Sequence, residues 1–412
     1  AKVDNNTDYV NYSPWCSNNS CGALTQDITN TNKTLYYGAG QFNRAVTEAD
    51  ASNTLTFDNA ATYASKDINK VLTLTGNNNA TFGTALTISA AATLDDVNIT
   101  GDTTITAAAT IKDSDITKTL SVQSTGVNIG TASNGNRFVL ADNDTGITSG
   151  GGGTYAAISI IDNTFEAAAA ADYIGMDLGT HFTGGTMTIT NNSMTEKINY
   201  GIKIAGDSVA TLIKNSIISA GLTKGTGAGE AHSAIYLSGN AAHVIGTSGT
   251  IGNANTLQGF AAGLHITNAV VATNLVVKYN KISSNTNAAT NADGAIVDIE
   301  KNWWGSDDEP TVNDHTLTNY GQWCTDNTCA SFNSDIKLDL ASNGVGNDNF
   351  YGDTQFDRAL SESTGSDTYT FFNDKTYASK DINQAVTLTA NNNATFGTAL
   401  TISAAATLDD VN

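Results

Sequence analysis

Proline is almost missing from this chain, with only Pro14 and Pro310 among 412 residues. Long stretches of backbone pairing are therefore uninterrupted, because proline removes a ladder donor and is confined to edges and bends. Charge is scarce as well: Asp, Glu, Lys and Arg together make up 14% of the residues, against a usual share of about a quarter. The balance is 40 acidic to 19 basic, a net charge of −21, which argues against nucleic acid and anionic membranes as partners. No stretch approaches the roughly 20 consecutive apolar residues of a membrane helix. No signal peptide is visible, although Ala1 suits a mature terminus left after a small-residue cleavage site. Arginine is reduced to Arg44, Arg137 and Arg358, and cysteine to Cys16, Cys21, Cys324 and Cys329. With no histidine near either Trp-Cys-x4-Cys unit, each pair is read as a local disulfide rather than a metal half-site or redox pair. That reading places the protein outside the cytoplasm.

What is present is repetition. Residues 77–98, NNNATFGTALTISAAATLDDVN, recur unchanged as residues 391–412, an offset of 314. Phe42, Arg44, Tyr63 and Asp67 return at that offset as Phe356, Arg358, Tyr377 and Asp381, while WCSNNSC at 15–21 returns as WCTDNTC at 323–329, an offset of 308. The expected organisation is a disulfide-containing segment at 1–35, a complete module at 36–310, a junction at 311–348 and the start of a second module at 349–412. Because the second copy reaches Asn412 where the first continues into Ile99, its core is expected to be completed by further chain or by another molecule.

From Leu55 to Leu120 short alternating segments such as TLTF, ALTIS, VNIT and TTIT are separated by Asn, Gly and Asp, the pattern of strands with one buried face. Ile88, Ile105 and Leu120 are taken as equivalent, with spacings of 17 and 15 that suit turns of a narrow solenoid. Further on, an Asn is followed two positions later by an apolar residue at Asn163, Asn192, Asn215, Asn255, Asn280 and Asn302. Between these lie second strands, MDL at 176–178, GIKI at 201–204, AIYL at 234–237, GLHI at 263–266 and GAIV at 294–297; the Gly-rich LTKGTGAGEAHS at 222–233 reads as a loop thrown out from one coil. Asn tolerates the left-handed conformation of a tight corner and hydrogen-bonds to its counterpart one coil away. Two to three strands per coil, stacked in register, make an all-β, right-handed parallel β-helix.

These repeats resemble those of the pectin-lyase-like superfamily, a resemblance that specifies fold rather than activity. QFNRAVTEA at 41–49 places Phe42, Ala45, Val46 and Ala49 on one helical face, a short N-terminal capping helix whose copy carries Phe356. At the other end Trp303 and Trp304 plug the last coil before Pro310 ends the strand pattern. A final Asn-Trp-Trp-Gly coil followed by a junction and a new cap is similar to the tandem modules of large secreted microbial surface-repeat proteins. That likeness implies architecture and a cell-surface location, and brings no catalytic residue.

Polysaccharide lyases share the solenoid and need clustered carboxylates and a basic residue. Outside the caps only Arg137 is available, without an acidic cluster assignable to it, so no catalytic residue is named and the chain is read as a non-enzyme. Asp95 and Asp96 stack one coil from Asp113 and Asp115; they are read as solvated corner residues, with weak structural calcium as the alternative, the one cofactor left open. His265 alternates with Leu264 and Ile266 and is expected on the outer surface. Thr73 and Thr75, Thr87 and Ser89, Thr104 and Thr106, Thr119 and Ser121 suggest a hydroxyl array for ice or a crystalline polymer, against which stand the preference of Thr for strands and the irregular spacing. Asn32, Asn79, Asn98 and Asn143 head glycosylation triplets. The expected function is a structural one, a rod, fibre or surface layer of head-to-tail modules whose partner is the protein itself. The alternatives are an adhesin that binds glycans through the 220–250 loop or the tryptophans and, less favoured, a lyase.

Overall fold

The computed structural model describes residues 28–31, 35–64, 66–76, 80–168, 172–205, 209–220, 232–239, 241–247, 249, 251–267, 275–292, 297–306, 310–312, 318–332, 340–342, 349–350, 355–363, 365–371, 376–377, 381–390, 394–397 and 400–412. The chain divides into two compact units, Ala1–Thr223 and Lys224–Asn412. The division falls at the Gly-rich 222–233 segment, inside the stretch that the repeat delimits as one module.

The first unit is a parallel β-helix with a cap. Its coils have three strands each, and each strand pairs in parallel with the equivalent strand one coil away. One full set is Thr93–Asp95, Asn98–Ile99 and Thr103–Ile105, and the next is Thr110–Lys112, Asp115–Ile116 and Leu120–Val122. Alternation explains the burial. Along the first sheet Leu55, Leu74, Leu94 and Ile111 are fully buried, and between them Thr54, Thr73, Thr93 and Thr110 face outward half-exposed. Each buried Leu or Ile contributes about 1.5–3 kcal/mol relative to exposure, so the interior columns drive the stacking. The equivalences differ from those read from spacing alone in one place: Ile105 pairs with Val122, and Leu120 pairs with Thr103. The coil is thus a regular 17 residues from Ile88 to Ile105 to Val122.

The corner after the first sheet is turned by residues with positive φ: Asp96 (59°), Asp113 (50°), Asp162 (61°), Asn191 (57°) and Lys214 (58°) in this unit. The left-handed residue is therefore the one before Asn163, Asn192 and Asn215 of the N-x-apolar register, and the Asn itself points inward. Gly130 (φ 74°) holds the same corner, and there a Cβ would lie 2.0 Å from the Ile161 carbonyl oxygen.

The cap comprises α1 (Phe42–Glu48) and a hairpin of Ile28–Asn30 with Leu35–Tyr36, the former also antiparallel to Thr54–Phe57. Phe42 is 2% exposed and meets Phe57, Tyr63 and Phe82 at centroid distances of 5.7, 5.8 and 5.3 Å. Apolar side chains that would otherwise end the solenoid in water are covered by this aromatic layer.

The second unit contains further coils, a terminal rung and a second cap. Ser233–Ser238, Ala262–Ile266 and Asn287–Asn291 stack in parallel, as do Val244–Gly246 with Val276–Lys278 and Thr256–Gln258 with Lys281–Ser283. The place expected for GAIV at 294–297 is occupied by Asn287–Asn291; of that tetrapeptide only Val297 is described, and it pairs as Val297–Asp298 with Thr318–Asn319. The second cap repeats the arrangement of the first. Here α2 (Gln355–Glu362) puts Phe356 at 5.5, 6.1 and 5.6 Å from Phe371, Tyr377 and Phe396, and Leu340–Ser342 runs antiparallel to Asp367–Phe371. Ile402 and Leu408 are 45% and 42% exposed, whereas their counterparts Ile88 and Leu94, on which further coils stack, are fully buried. No helix among the described residues is long and apolar enough to cross a membrane.

Candidate functional site

The Asn residues form a buried ladder whose members satisfy one another. In the first unit Asn163 Nδ2 donates to Asn192 Oδ1 at 2.9 Å and Asn192 Nδ2 to Asn215 Oδ1 at 3.0 Å, while the backbone N–H of Asn163 and of Asn192 donates to the same acceptors at 3.1 Å. A second Nδ2 proton reaches a backbone carbonyl further back, Ile129 from Asn163, Ile160 from Asn192 and Ile189 from Asn215, at 2.8 to 2.9 Å. The ladder extends to two residues the sequence reading passed over. Asn136 donates to Asn163 Oδ1 at 2.9 Å, and Ser114 donates its backbone N–H to Asn136 Oδ1 at 3.1 Å. Asn136 precedes Phe138 in the same N-x-apolar register, so its signal was present in the sequence. In the second unit the ladder runs from Asn255 to Asn280 at 2.9 Å and on to Asn302 at 3.0 Å. Side-chain amides without these partners would be costly at such depth, since an unsatisfied buried polar group costs roughly 1–3 kcal/mol.

At Asn302 the ladder meets the terminal rung, and the solenoid does not end at Pro310. Trp303 bridges to Lys281, Val312 to Ala289, and Thr318–Asn319 pairs in parallel with Val297–Asp298, so the chain completes another turn beyond Pro310. The reason is positional: Pro310 lies between strands, where its missing N–H removes no ladder bond. Cys324 N–H then donates to the Asn302 carbonyl at 3.0 Å, as Trp303 N–H does to the Asn280 carbonyl, which places Trp323 where the next Asn of the column would stand. Cys324 and Cys329 form a disulfide across a loop held by Asp326, whose carboxylate accepts from the Thr328 N–H at 2.8 Å and hydroxyl at 2.6 Å. Those hydrogen bonds lower the Asp326 carboxyl below its ordinary range. Cys16 and Cys21 lie outside the described residues.

Trp304 is 7% exposed, in line with Leu257 and Ile282, and closes that inner column; Trp303, one residue earlier, occupies the outward position and is half-exposed. The deeper end residues, which the sequence reading did not single out, are Tyr320 and Trp323, both fully buried with centroids 6.0 Å apart. Over them sits the second cap. Arg358, 4% exposed, donates from Nη1 to Asn319 Oδ1 at 2.7 Å and to Gln355 Oε1 at 2.8 Å, with its guanidinium 4.6 Å from the Phe350 ring centroid. Gln355 Nε2 donates to the Thr318 carbonyl at 3.4 Å. A planar, permanently charged guanidinium is suited to such a buried fork of acceptors.

The other candidate residues are dispersed. Asp95 is bound by Lys112 Nζ at 2.7 Å, Asp96 and Asp113 are left-handed corner residues one coil apart, and Asp115 lies 4.0 Å from Arg137. Desolvation raises the Asp113 carboxyl above its ordinary range. No group of three or more His, Cys, Asp or Glu side chains that could hold one ion occurs among the described residues. Arg137 is engaged by Glu166 at 2.8 Å. The hydroxyl pairs named above split between sheets: Thr73 and Thr75 belong to the first, Thr87, Thr104 and Ser121 to the third. The first sheet has its own outward column, Thr54, Thr73, Thr93, Thr110, Asn128, Ser159, Thr188 and Thr211. Among the glycosylation triplets Asn98 is half-exposed and Asn143 exposed, while Asn32 and Asn79 lie outside the described residues.

His265 is the clearest departure from expectation. Its side chain alternates with Leu264 and Ile266 as predicted, yet it is 3% exposed, stacked 5.3 Å from Tyr236 and hydrogen-bonded to Thr290. Alternation reports the face of a strand and not whether that face is covered. His243 is buried too, and desolvation pushes its pKa down to about 4.

No protein-family model, no curated protein and no solved structure matches the chain.

Proposed function

We propose that this protein is an extracellular structural protein that builds a rod, fibre or surface layer from β-helix modules joined end to end, with itself as its main partner. One observation carries the reading: the terminal rung is covered by a new cap, with Arg358 buried between Asn319, Gln355 and Phe350, so one solenoid ends on the beginning of the next. The polar investment also lies inside the solenoid, in the ladder. Repeat architectures of this kind propagate through neighbour contacts alone, which suits them to length. The Cys324–Cys329 disulfide supports an oxidising, extracellular setting. The Asn-x-apolar repeats, the capped starts and the Asn-Trp-Trp-Gly end at 302–305 support kinship with the pectin-lyase-like superfamily and with secreted microbial surface-repeat proteins. No structural calcium and no catalytic centre are part of this reading.

Electron microscopy of the concentrated native protein tests it. Filaments or sheets with a regular axial repeat are expected; particles that stay dispersed at every concentration and show no end-to-end contact would remove the assembly role. A second reading, glycan binding at the surface, is favoured by the outward, half-exposed Trp303, since aromatic faces stack on sugars. Retention on a glycan array that is lost in Trp303→Ala would support it.

A further inference from the structure

The two caps are built alike but are not satisfied alike. In the second, Gln355 is held by Arg358 and reaches the Thr318 carbonyl, and Arg358 grips Asn319. In the first, the counterpart Gln41 is 1% exposed and neither its Oε1 nor its Nε2 has a hydrogen-bond partner among the described residues. Its neighbour Arg44 turns instead to Glu48, Nε to Oε1 at 2.7 Å, with its guanidinium 5.7 Å from the Tyr36 ring centroid, where Tyr36 is the counterpart of Phe350. A buried amide with both ends unpaired is a costly arrangement that native proteins rarely leave in place. The same amide in the second cap shows what completes it: a strand of the type Thr318-Asn319-Tyr320.

The sequence of that strand has a second copy in the chain. VNYSPWC at 10–16 matches TNYGQWC at 318–324, with Asn11 in the place of Asn319, Tyr12 of Tyr320, Trp15 of Trp323 and Cys16 of Cys324. The reach is adequate, since 16 positions separate Tyr12 from Ile28 of the first cap hairpin and 20 separate Tyr320 from Leu340 of the second. We propose that Gln41 and Arg44 form a docking site for a terminal-rung strand, and that its occupant is the Val10–Asn11–Tyr12 segment of this same chain. Arg44 then donates to the Asn11 side chain, and Gln41 donates to the Val10 carbonyl. The inference deepens the modular reading proposed above. A rung docked in this way presents the edge that Thr318–Asn319 offers to Val297–Asp298, where Asn319 Nδ2 donates to Asp298 Oδ1 at 2.6 Å. The partner suited to that edge is the terminal coil of another module of this sequence.

The test is substitution of the amide in each cap of the full chain. If Gln41 stays unpaired, Gln41→Met removes a buried unsatisfied group and leaves the chain as stable or more stable; if Gln41 holds the rung, Gln41→Met lowers stability as Gln355→Met does in the second cap. A double-mutant cycle on Asn11→Ala and Arg44→Ala gives an independent readout, with Asn319→Ala and Arg358→Ala as the reference pair. Losses that fail to add in both cycles are expected, together with amides at 8–16 that exchange at least about tenfold slower in the intact chain than in Arg44→Ala. Strictly additive losses at Asn11 and Arg44 beside coupled losses at Asn319 and Arg358, or a stabilising Gln41→Met, would overturn the proposal. Micrographs of the same samples separate this outcome from the assembly reading: protected 8–16 amides without filaments leave docking standing and remove only assembly.

Discussion

Replacing Asn192 by alanine isolates the ladder, because Asn192 stands in its middle. Its Oδ1 accepts from Asn163 Nδ2 and the Asn163 backbone N–H at 2.9 and 3.1 Å, and its Nδ2 donates to the Ile160 carbonyl at 2.9 Å and to Asn215 Oδ1 at 3.0 Å. Asn192→Ala leaves two buried donors on Asn163 without those acceptors. At roughly 1–3 kcal/mol per orphaned group the expected loss is about 4 kcal/mol. Asn192→Asp keeps the shape but turns an oxygen toward the Ile160 carbonyl and Asn215 Oδ1, so at neutral pH it is expected to cost more than alanine. Its folded-state pKa must lie above that of the unfolded chain; the native state binds the extra proton, and the deficit shrinks as pH falls toward the ordinary carboxyl range of about 4. The control is Asn128→Ala, on the outer face with a single 3.4 Å bond to Thr110 Oγ1, expected to change stability by no more than about 0.5 kcal/mol. Urea unfolding followed by circular dichroism, with hydrogen exchange across residues 158–217 to localise the effect, measures all three. Asn192→Ala no costlier than Asn128→Ala would refute the claim that the ladder stabilises the coil stack.

Removing the Cys324–Cys329 bridge by paired serine substitution is expected to cost about 2 kcal/mol, because its loop is short and restrains little unfolded-chain entropy; thermal unfolding with and without reductant checks this. Phe42→Ala and Phe356→Ala should each cost about 3–5 kcal/mol, since each empties the centre of an aromatic layer, and intact cap protection in hydrogen exchange would contradict that. His243, held neutral with a pKa pushed down to about 4, makes the unfolded state the stronger proton binder between about pH 4 and 6.5. Stability should therefore rise with pH through that window, and a melting curve series should flatten there in His243→Leu. Because Asp95, Asp96, Asp113 and Asp115 do not converge, a calcium chelator is expected to leave the melting temperature unchanged, and a marked drop would contradict the geometry.

Much of the fold was legible because a solenoid writes its period into the sequence. The alternation in TLTF and TIS places Leu55 and Ile88 inside, and the N-x-apolar register picks out the ladder residues Asn163, Asn192, Asn215, Asn255, Asn280 and Asn302. What spacing alone could not supply was register between coils of unequal length. Leu120 looks equivalent to Ile105 by its TLS context, but pairing is decided by neighbouring strands, and Val122 wins. The corner was misassigned by one residue for a related reason: Asn favours left-handed φ, yet burial of its amide in the ladder outweighs that preference and passes the corner to Asp162, Asn191 or Lys214. The terminal rung was obscured by Pro310, a strand breaker that sits harmlessly between strands, and by residues whose roles depend on contacts about 39 positions apart, such as Asn319 with Arg358. Covering of the outer face at His265 leaves no mark on period-two alternation at all.

The central claim is that these modules stack end to end through a rung seated on a cap. Cryo-electron microscopy of native assemblies tests it most directly. The account predicts coils spaced at ~4.8 Å along the stack and, at every joint, a cap helix seated on a terminal rung with its arginine against the rung asparagine. Assemblies that associate side by side with caps and rungs apart, or protein that remains as dispersed single particles, would contradict it.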